Sequence, residues 1–161
     1  MHVKMLNRAR LQRAGIVAVL ALTLTGCGIS IPSDPQGTLD RATGGELRIG
    51  FAIEPGLSDG GAPPTGPLVD LANEYATSID ARPEWEIGGE ETLIEMLEQE
   101  QIDIAFGNFS EDSPWSDRAA LSRPFTADGG GAGKIVALMP LGENALVSSF
   151  ERFVDDTGRA Q

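Results

Sequence analysis

The chain of 161 residues contains one cysteine and one histidine, Cys27 and His2. A single thiol excludes an internal disulfide. Basic residues are also scarce, with 12 Lys+Arg against 24 Asp+Glu and a net charge of −12. A chain this acidic is repelled by phosphate backbones and anionic headgroups, and no basic patch interrupts it, so nucleic acid is excluded as a partner. Coiled-coil heptads and internal repeats are lacking. Glycine and proline are plentiful, at 20 and 10 residues. They point to generous loops rather than a helical bundle. A hydrophobic content of 41% supports a modest core, and the length suits one domain.

The first residues are unlike the rest. Lys4, Arg8, Arg10 and Arg13 precede the apolar run from Ala14 to Thr25. This is the charged n-region and apolar h-region of a secretory signal, and the run is well short of the roughly 20 residues that span a bilayer. It meets Leu24-Thr25-Gly26-Cys27, which resembles a bacterial lipobox, in which the cysteine is acylated and becomes the first residue of the mature protein. Residues 1–26 are therefore expected to be a lipoprotein signal peptide and Cys27 the lipidation site. Several acyl chains hold a protein firmly, at about 0.8 kcal/mol per buried CH₂. The remaining 135 residues keep eight basic and 24 acidic side chains, a net −16, and have no histidine and no unmodified thiol. Ser-His-Asp and Cys-His catalysis, His/Cys zinc sites and thiol redox chemistry all go with them. No metal and no cofactor is expected.

Residues 27–45 hold the acylated cysteine and a stretch rich in Gly, Pro, Ser and Thr that reads as a flexible tether. From Glu46 the pattern changes. Leu47, Ile49, Phe51 and Ile53 alternate as in a strand, and Gly and Pro fill the loop at 54–66. Pro67 suits a first helical turn, and Leu68, Leu71, Ala72, Tyr75 and Ile79 share one helical face. Residues 83–88 suggest a second strand, 90–101 a helix with Leu93, Ile94 and Leu97 inward, and 102–107 a third strand. An apolar strand at 134–139 and a helix at about 143–155, with Leu146, Val147, Phe150, Phe153 and Val154 on one stripe, close the chain. Strand and helix alternate, which predicts an α/β fold with a mostly parallel sheet of about four to five strands.

Few constellations carry chemistry. Gly129-Gly-Gly-Ala-Gly-Lys134 departs from a phosphate-binding loop, because Asp128 stands where glycine is needed and Ile135 where Ser or Thr is needed. The pairs Glu90/Glu91 and Glu111/Asp112 read as solvated or capping carboxylates. Trp115, in the loop after the third strand, either lines a ligand crevice or packs under its own loop. Arg118, in the same loop, either clamps a carboxylate with its planar fork or makes a surface salt bridge with one of the many acids.

These segments, taken in order, resemble the family 3 extracellular solute-binding proteins, the polar amino-acid receptors of ABC importers. The matches are Leu47-Arg-Ile-Gly50, Thr65-Gly-Pro-Leu-Val-Asp-Leu-Ala72, Leu93 and Leu97 with Ile102-Asp-Ile-Ala105, Ser116-Asp-Arg-Ala119 and Leu121-Ser-Arg-Pro-Phe125. The resemblance covers residues 46–156 and implies a periplasmic-binding-protein-like fold. It implies a single lobe, because about 126–133 stands where a second lobe is inserted in complete receptors; 157–161 form a tail. It also implies that Arg118 meets the α-carboxylate of an amino acid, in a site with Asn108, Ser110, Trp115 and Glu54, although two extra residues precede the arginine.

The expected function is a non-enzymatic, lipid-anchored solute-binding protein of the cell envelope. It faces the periplasm or cell exterior, binds an amino acid or small carboxylate weakly, and partners an integral-membrane transporter subunit. The alternative is an accessory subunit of a membrane transport or sensing complex in which the lobe is only a docking surface. A cell-wall enzyme is a third class, since similar domains occur fused to peptidoglycan lyases, but no catalytic domain is left in this chain.

Overall fold

A computed structural model describes residues 34–127 and 133–160. The signal segment, Cys27 and the centre of the 126–133 segment lie outside the described residues. The elements run α1 (Thr38–Ala42), β1 (Glu46–Phe51), α2 (Pro67–Ser78), β2 (Arg82–Ile87), α3 (Glu90–Glu98), β3 (Ile104–Phe106), β4 (Ala120–Leu121), β5 (Leu138–Met139) and α4 (Asn144–Asp156). The sheet order is β2-β1-β3-β5-β4. β1 lies parallel to both β2 and β3, while β5 is antiparallel to its neighbours β3 and β4. Four strands thus run one way and β5 alone runs back. The expected mostly parallel sheet of about four to five strands flanked by helices is observed, with five strands.

Strand alternation sorts the core into two layers. Leu47, Ile49 and Phe51 of β1, Ile104 and Phe106 of β3 and Met139 of β5 face α1, α2 and α4. Phe150 of α4 lies at its centre, with ring centroids 5.2 Å from Tyr75, 5.4 Å from Phe125 and 5.6 Å from Phe106. Burial pushes the Tyr75 phenol up to about 12. On the other face Ala52, Ala105 and Leu138 pack on Leu93, Ile94 and Leu97 of α3. A Cβ at Gly50 would stand 2.6 Å from Ile102 Cδ1 and 2.7 Å from Leu93 Cδ2, so these two side-chain tips pack directly over the glycine.

The expected tether is shorter than predicted. Residues 34–45 are folded, and α1 buries Thr38 and Ala42. Two carboxylates supply its opening amides with acceptors: Glu143 takes the N–H of Gln36 and Thr38 at 3.1 and 3.2 Å, and Asp34 takes those of Leu39 and Asp40. The expected tail differs as well. Thr126 donates to Arg159 O at 3.1 Å, and Phe125 bridges Ala160. β4 had no strand pattern to announce it. The strand expected at 134–139 is reduced to Leu138–Met139, with Ile135 instead exchanging both backbone hydrogen bonds with Phe125 at 2.9 and 3.0 Å.

At the opposite pole from the crevice described below, Asp103 is 1% exposed and accepts from five donors. Arg41 Nη2 reaches Oδ1 at 2.5 Å, Arg48 Nη2 reaches the same oxygen at 2.6 Å, and the Arg48 amide donates to Oδ2 at 2.9 Å. One carboxylate thereby ties α1, β1 and the entry to β3. Breaking a buried ion pair costs about 3–5 kcal/mol, and because both guanidiniums are partly exposed, Asp103→Ala is expected to cost about 2–3 kcal/mol in urea unfolding. Asp103→Asn, which keeps an acceptor for the Arg48 amide, is expected to cost less.

Glu143 gives a second expectation. Burial, and then the neighbouring Asp34 carboxyl, raise its pKa above the ordinary 4.5. Burial also opposes ionisation of Asp34, but the hydrogen bonds it receives outweigh this and hold it below the usual value. A raised folded pKa means that the stability Glu143 contributes is fully present below its unfolded value of about 4.5 and is lost as pH rises through the folded value. Glu143→Gln removes this dependence. Its stability relative to the native chain is therefore expected to improve as pH rises above about 4.5, as urea midpoints at pH 4 to 7 will show.

Candidate functional site

The carboxyl ends of parallel strands, with the helices that follow them, form the usual ligand crevice of an open α/β sheet. Here β1 and β2 end side by side, with Phe51 opposite Ile87. The chain then leaves through Ala52-Ile53-Glu54 and Gly88-Gly89-Glu90. These six residues and Ile87 line an open depression of about 450 Å³. Gly89 caps α3 in extended conformation, with Glu90 and Glu91 in the first turn. The amides that open α3 thus border the depression, and its walls are apolar, with Ile53 58% and Ile87 41% exposed. Its two lining carboxylates are Glu54 and Glu90, and among the described residues no basic side chain lines it.

The five predicted site residues fall into two groups. Glu54 forms the turn that closes the first wall: its N–H donates to Ser58 O, its carbonyl accepts from Leu57 and Ser58, and Ser58 Oγ donates to Ala52 O at 2.6 Å. Asn108 and Ser110 are exposed in the loop after β3. Ser110 O accepts from Ser113 N, and Phe109 O accepts from Val136 N at 2.9 Å. The loop is therefore pinned on both sides of Ser110.

Trp115 and Arg118 form the second group. Trp115 packs partly against the α3 layer, and its indole N–H points to Glu90 Oε2 at 3.4 Å. The Arg118 Cζ lies 5.5 Å from the Trp115 ring centroid, close enough for a cation–π contact. Arg118 also forms a bidentate pair with Glu98, Nε to Oε1 at 2.8 Å and Nη2 to Oε2 at 2.6 Å. Glu98 is the last residue of α3, about 12 Å along the helix from Glu90 at 1.5 Å per residue. The guanidinium thus makes the surface ion pair that the acidic composition allowed, and Trp115 touches both it and Glu90 of the crevice. Glycines 88 and 89 and the acid Glu90 were not among the predicted site residues. Their signal was a Gly-Gly break between a strand and an acidic helix start.

The ion pair has a measurable consequence. Its hydrogen bonds lower the Glu98 pKa and raise that of Arg118. In Arg118→Ala the Glu98 carboxyl is expected to titrate at a higher pH than in the native chain, returning toward the ordinary 4.5. The pH dependence of its side-chain ¹³C shift checks this.

No protein-family model matches the chain, and no curated protein matches it. Solved structures do. A point mutant of the arginine-bound form of domain 1 from TmArgBP superposes with a TM-score of 0.65 at 21% identity, over 75% of this chain and 98% of that one. The arginine-bound form of truncated ArgBP from T. maritima gives 0.61 at 12%, over 73% and 99%. Tv2483 bound to L-arginine gives 0.63 at 11%, over 76% and 89%. At these identities the likeness speaks for the fold, and it accounts for nearly the full length of the matched chains. The chain carries the mixed α/β fold of a single periplasmic-binding-protein-like domain.

Proposed function

We propose that this chain is a non-enzymatic, lipid-anchored solute-binding lobe of the cell envelope that binds an amino acid weakly and works with an integral-membrane transporter. One observation carries the solute-binding part: helix-opening amides, two carboxylates and two exposed isoleucines converge on one depression at the carboxyl ends of β1 and β2. A zwitterion has a use for each of them. Its carboxylate meets the amides that open α3, its ammonium meets Glu54 or Glu90, and its side-chain stem lies on Ile53 and Ile87. That three neighbours of this fold are described as arginine-bound or bound to L-arginine favours an amino acid as the solute. With two acids and no base lining the depression, a cationic amino acid is preferred over an acidic one.

Arg118 is the reserve donor of this site. It reaches a ligand carboxylate by giving up Glu98, so the ion pair opposes binding. The depression is also open to solvent, and the binding it supports is millimolar, about −4 kcal/mol. The exposed isoleucines also favour a second reading, in which the crevice is a docking surface for a protein subunit.

Amide NMR titration tests the first reading. Arginine is expected to shift Gly88, Gly89 and Asn108 with a millimolar Kd, and glutamate to bind more weakly. Glu98→Gln, which frees Arg118, is expected to tighten binding, and Arg118→Ala to weaken it. No shift at tens of millimolar overturns direct binding. If a stoichiometric integral-membrane protein is then retained by Arg118→Ala in detergent pull-downs, the docking reading replaces it.

The anchor rests on the lipobox. Metabolic palmitate label is expected on the native chain and absent from Cys27→Ala; label surviving that substitution overturns lipidation at this residue.

A further inference from the structure

The chain's attachment point and its crevice lie at opposite poles of the sheet. The crevice is built at the carboxyl ends of β1 and β2. β5 runs antiparallel to β3, so Pro140 to Glu143, which follow it, emerge at the amino ends of the parallel strands. Glu143 holds the amides of Gln36 and Thr38, and a Cβ on Gly142 would lie 3.7 Å from Pro35. The first described residue, Asp34, therefore leaves the body at the amino pole. Beside it Leu141 is 54% exposed, one of three exposed large apolar side chains among the described residues.

The length of the remaining tether turns this arrangement into a constraint. Six residues, 28–33, separate Cys27 from Asp34. Seven Cα steps span about 25 Å at full extension. A body of about 130 residues has a radius of gyration of about 14 Å and hence a diameter of about 36 Å. Carrying the crevice round to a surface at which Cys27 is fixed needs a path of half its circumference, roughly 55 Å on the same size estimate. The tether is less than half that length.

We infer that the amino-pole face around Pro35, Leu141 and Gly142 lies against the lipid bilayer and that the crevice opens away from it, toward the aqueous phase. The inference rests on the proposed acylation of Cys27. Leu141 supplies the apolar contact at the point where the chain meets the headgroups. Whatever closes the crevice approaches from the aqueous side.

The experiment uses the acylated protein reconstituted in phosphatidylethanolamine/phosphatidylglycerol vesicles that contain a nitroxide-labelled lipid. Because Cys27 is the only cysteine and acylation consumes its thiol, Leu141→Cys and Ile53→Cys each give a unique site for a fluorophore. Flotation with the vesicles comes first, and a protein that does not float overturns the anchor and the orientation with it. In protein that floats, quenching is expected to be at least fivefold stronger at position 141 than at position 53. Equal quenching at the two positions, stronger quenching at 53, or none at either overturns the orientation while leaving the anchor standing. Thirty Gly/Ser residues inserted between residues 33 and 34 are expected to abolish the difference; a difference that survives them shows that the tether does not set it and overturns the argument from reach.

Discussion

A single buried carboxylate fixes the β1–β3 register on which one wall of the crevice depends. Asp103 stands where β3 begins, between two strands that it does not itself extend, and it receives the amide and guanidinium of Arg48 and the guanidinium of Arg41. A buried charge is costly unless it is paired and hydrogen-bonded, and here its oxygens are shared among five donors. Because Arg48 is fixed both by its backbone and by its side chain, β1 cannot slip against β3 without leaving the charge unpaired. Register at the amino pole is register at the carboxyl pole. The pairing of Phe51 with Phe106 follows, and with it the place where Ala52-Ile53-Glu54 emerges.

What the sequence made legible was whatever repeats at short range. Alternation of Leu47, Ile49 and Phe51 located β1, and the spacing of Leu68, Leu71, Ala72 and Tyr75 located α2, because burial on one face imposes a period that a reader can see. The partners of Asp103 are 55 and 62 residues away along the chain, and nothing local marks Ile102-Asp-Ile-Ala as more than an apolar strand. α1 was hidden for the same reason. Its five residues follow Pro35 and Gly37, which read as tether, and one of its capping carboxylates comes from Glu143, more than 100 residues later. β4 is two residues long and shows no period at all. The site was legible to a similar extent. The loops were placed correctly by the strand order, whereas the direction in which Arg118 reaches depends on Glu98 and Trp115, which the spacing of the motif does not encode.

The acidity noted at the outset acts differently at each place in the fold. In the clamp the negative charge is scarce and the cations are in excess, two guanidiniums on one carboxylate. At α1 two carboxylates crowd together; burial and then the neighbouring carboxyl raise the pKa of Glu143, and the hydrogen bonds that Asp34 receives outweigh its own burial and keep its pKa low. At the crevice the acids face solvent without a cation between them. Exposed carboxylates cost little by themselves, but they set the sign of the local field, and in a cleft bounded by apolar side chains that field is less screened than on a flat surface.

A crevice open to solvent limits how strongly such a field can be used. A ligand that lies on one wall keeps its other face in water, so the gain from each contact is the difference between that contact and a solvated alternative, of the order of 1.5–3 kcal/mol for a charge-assisted hydrogen bond. Two such contacts, less the entropy of holding the ligand, leave millimolar binding at best. Closing the crevice excludes that water and strengthens every contact together. On the proposed function, the Arg118–Glu98 pair tunes the same balance, because the guanidinium is committed to an internal partner until a ligand carboxylate outcompetes it. On that same function, the lobe holds a solute loosely and gains affinity when a second surface completes it, and the charge of its walls selects which solutes are available to be completed.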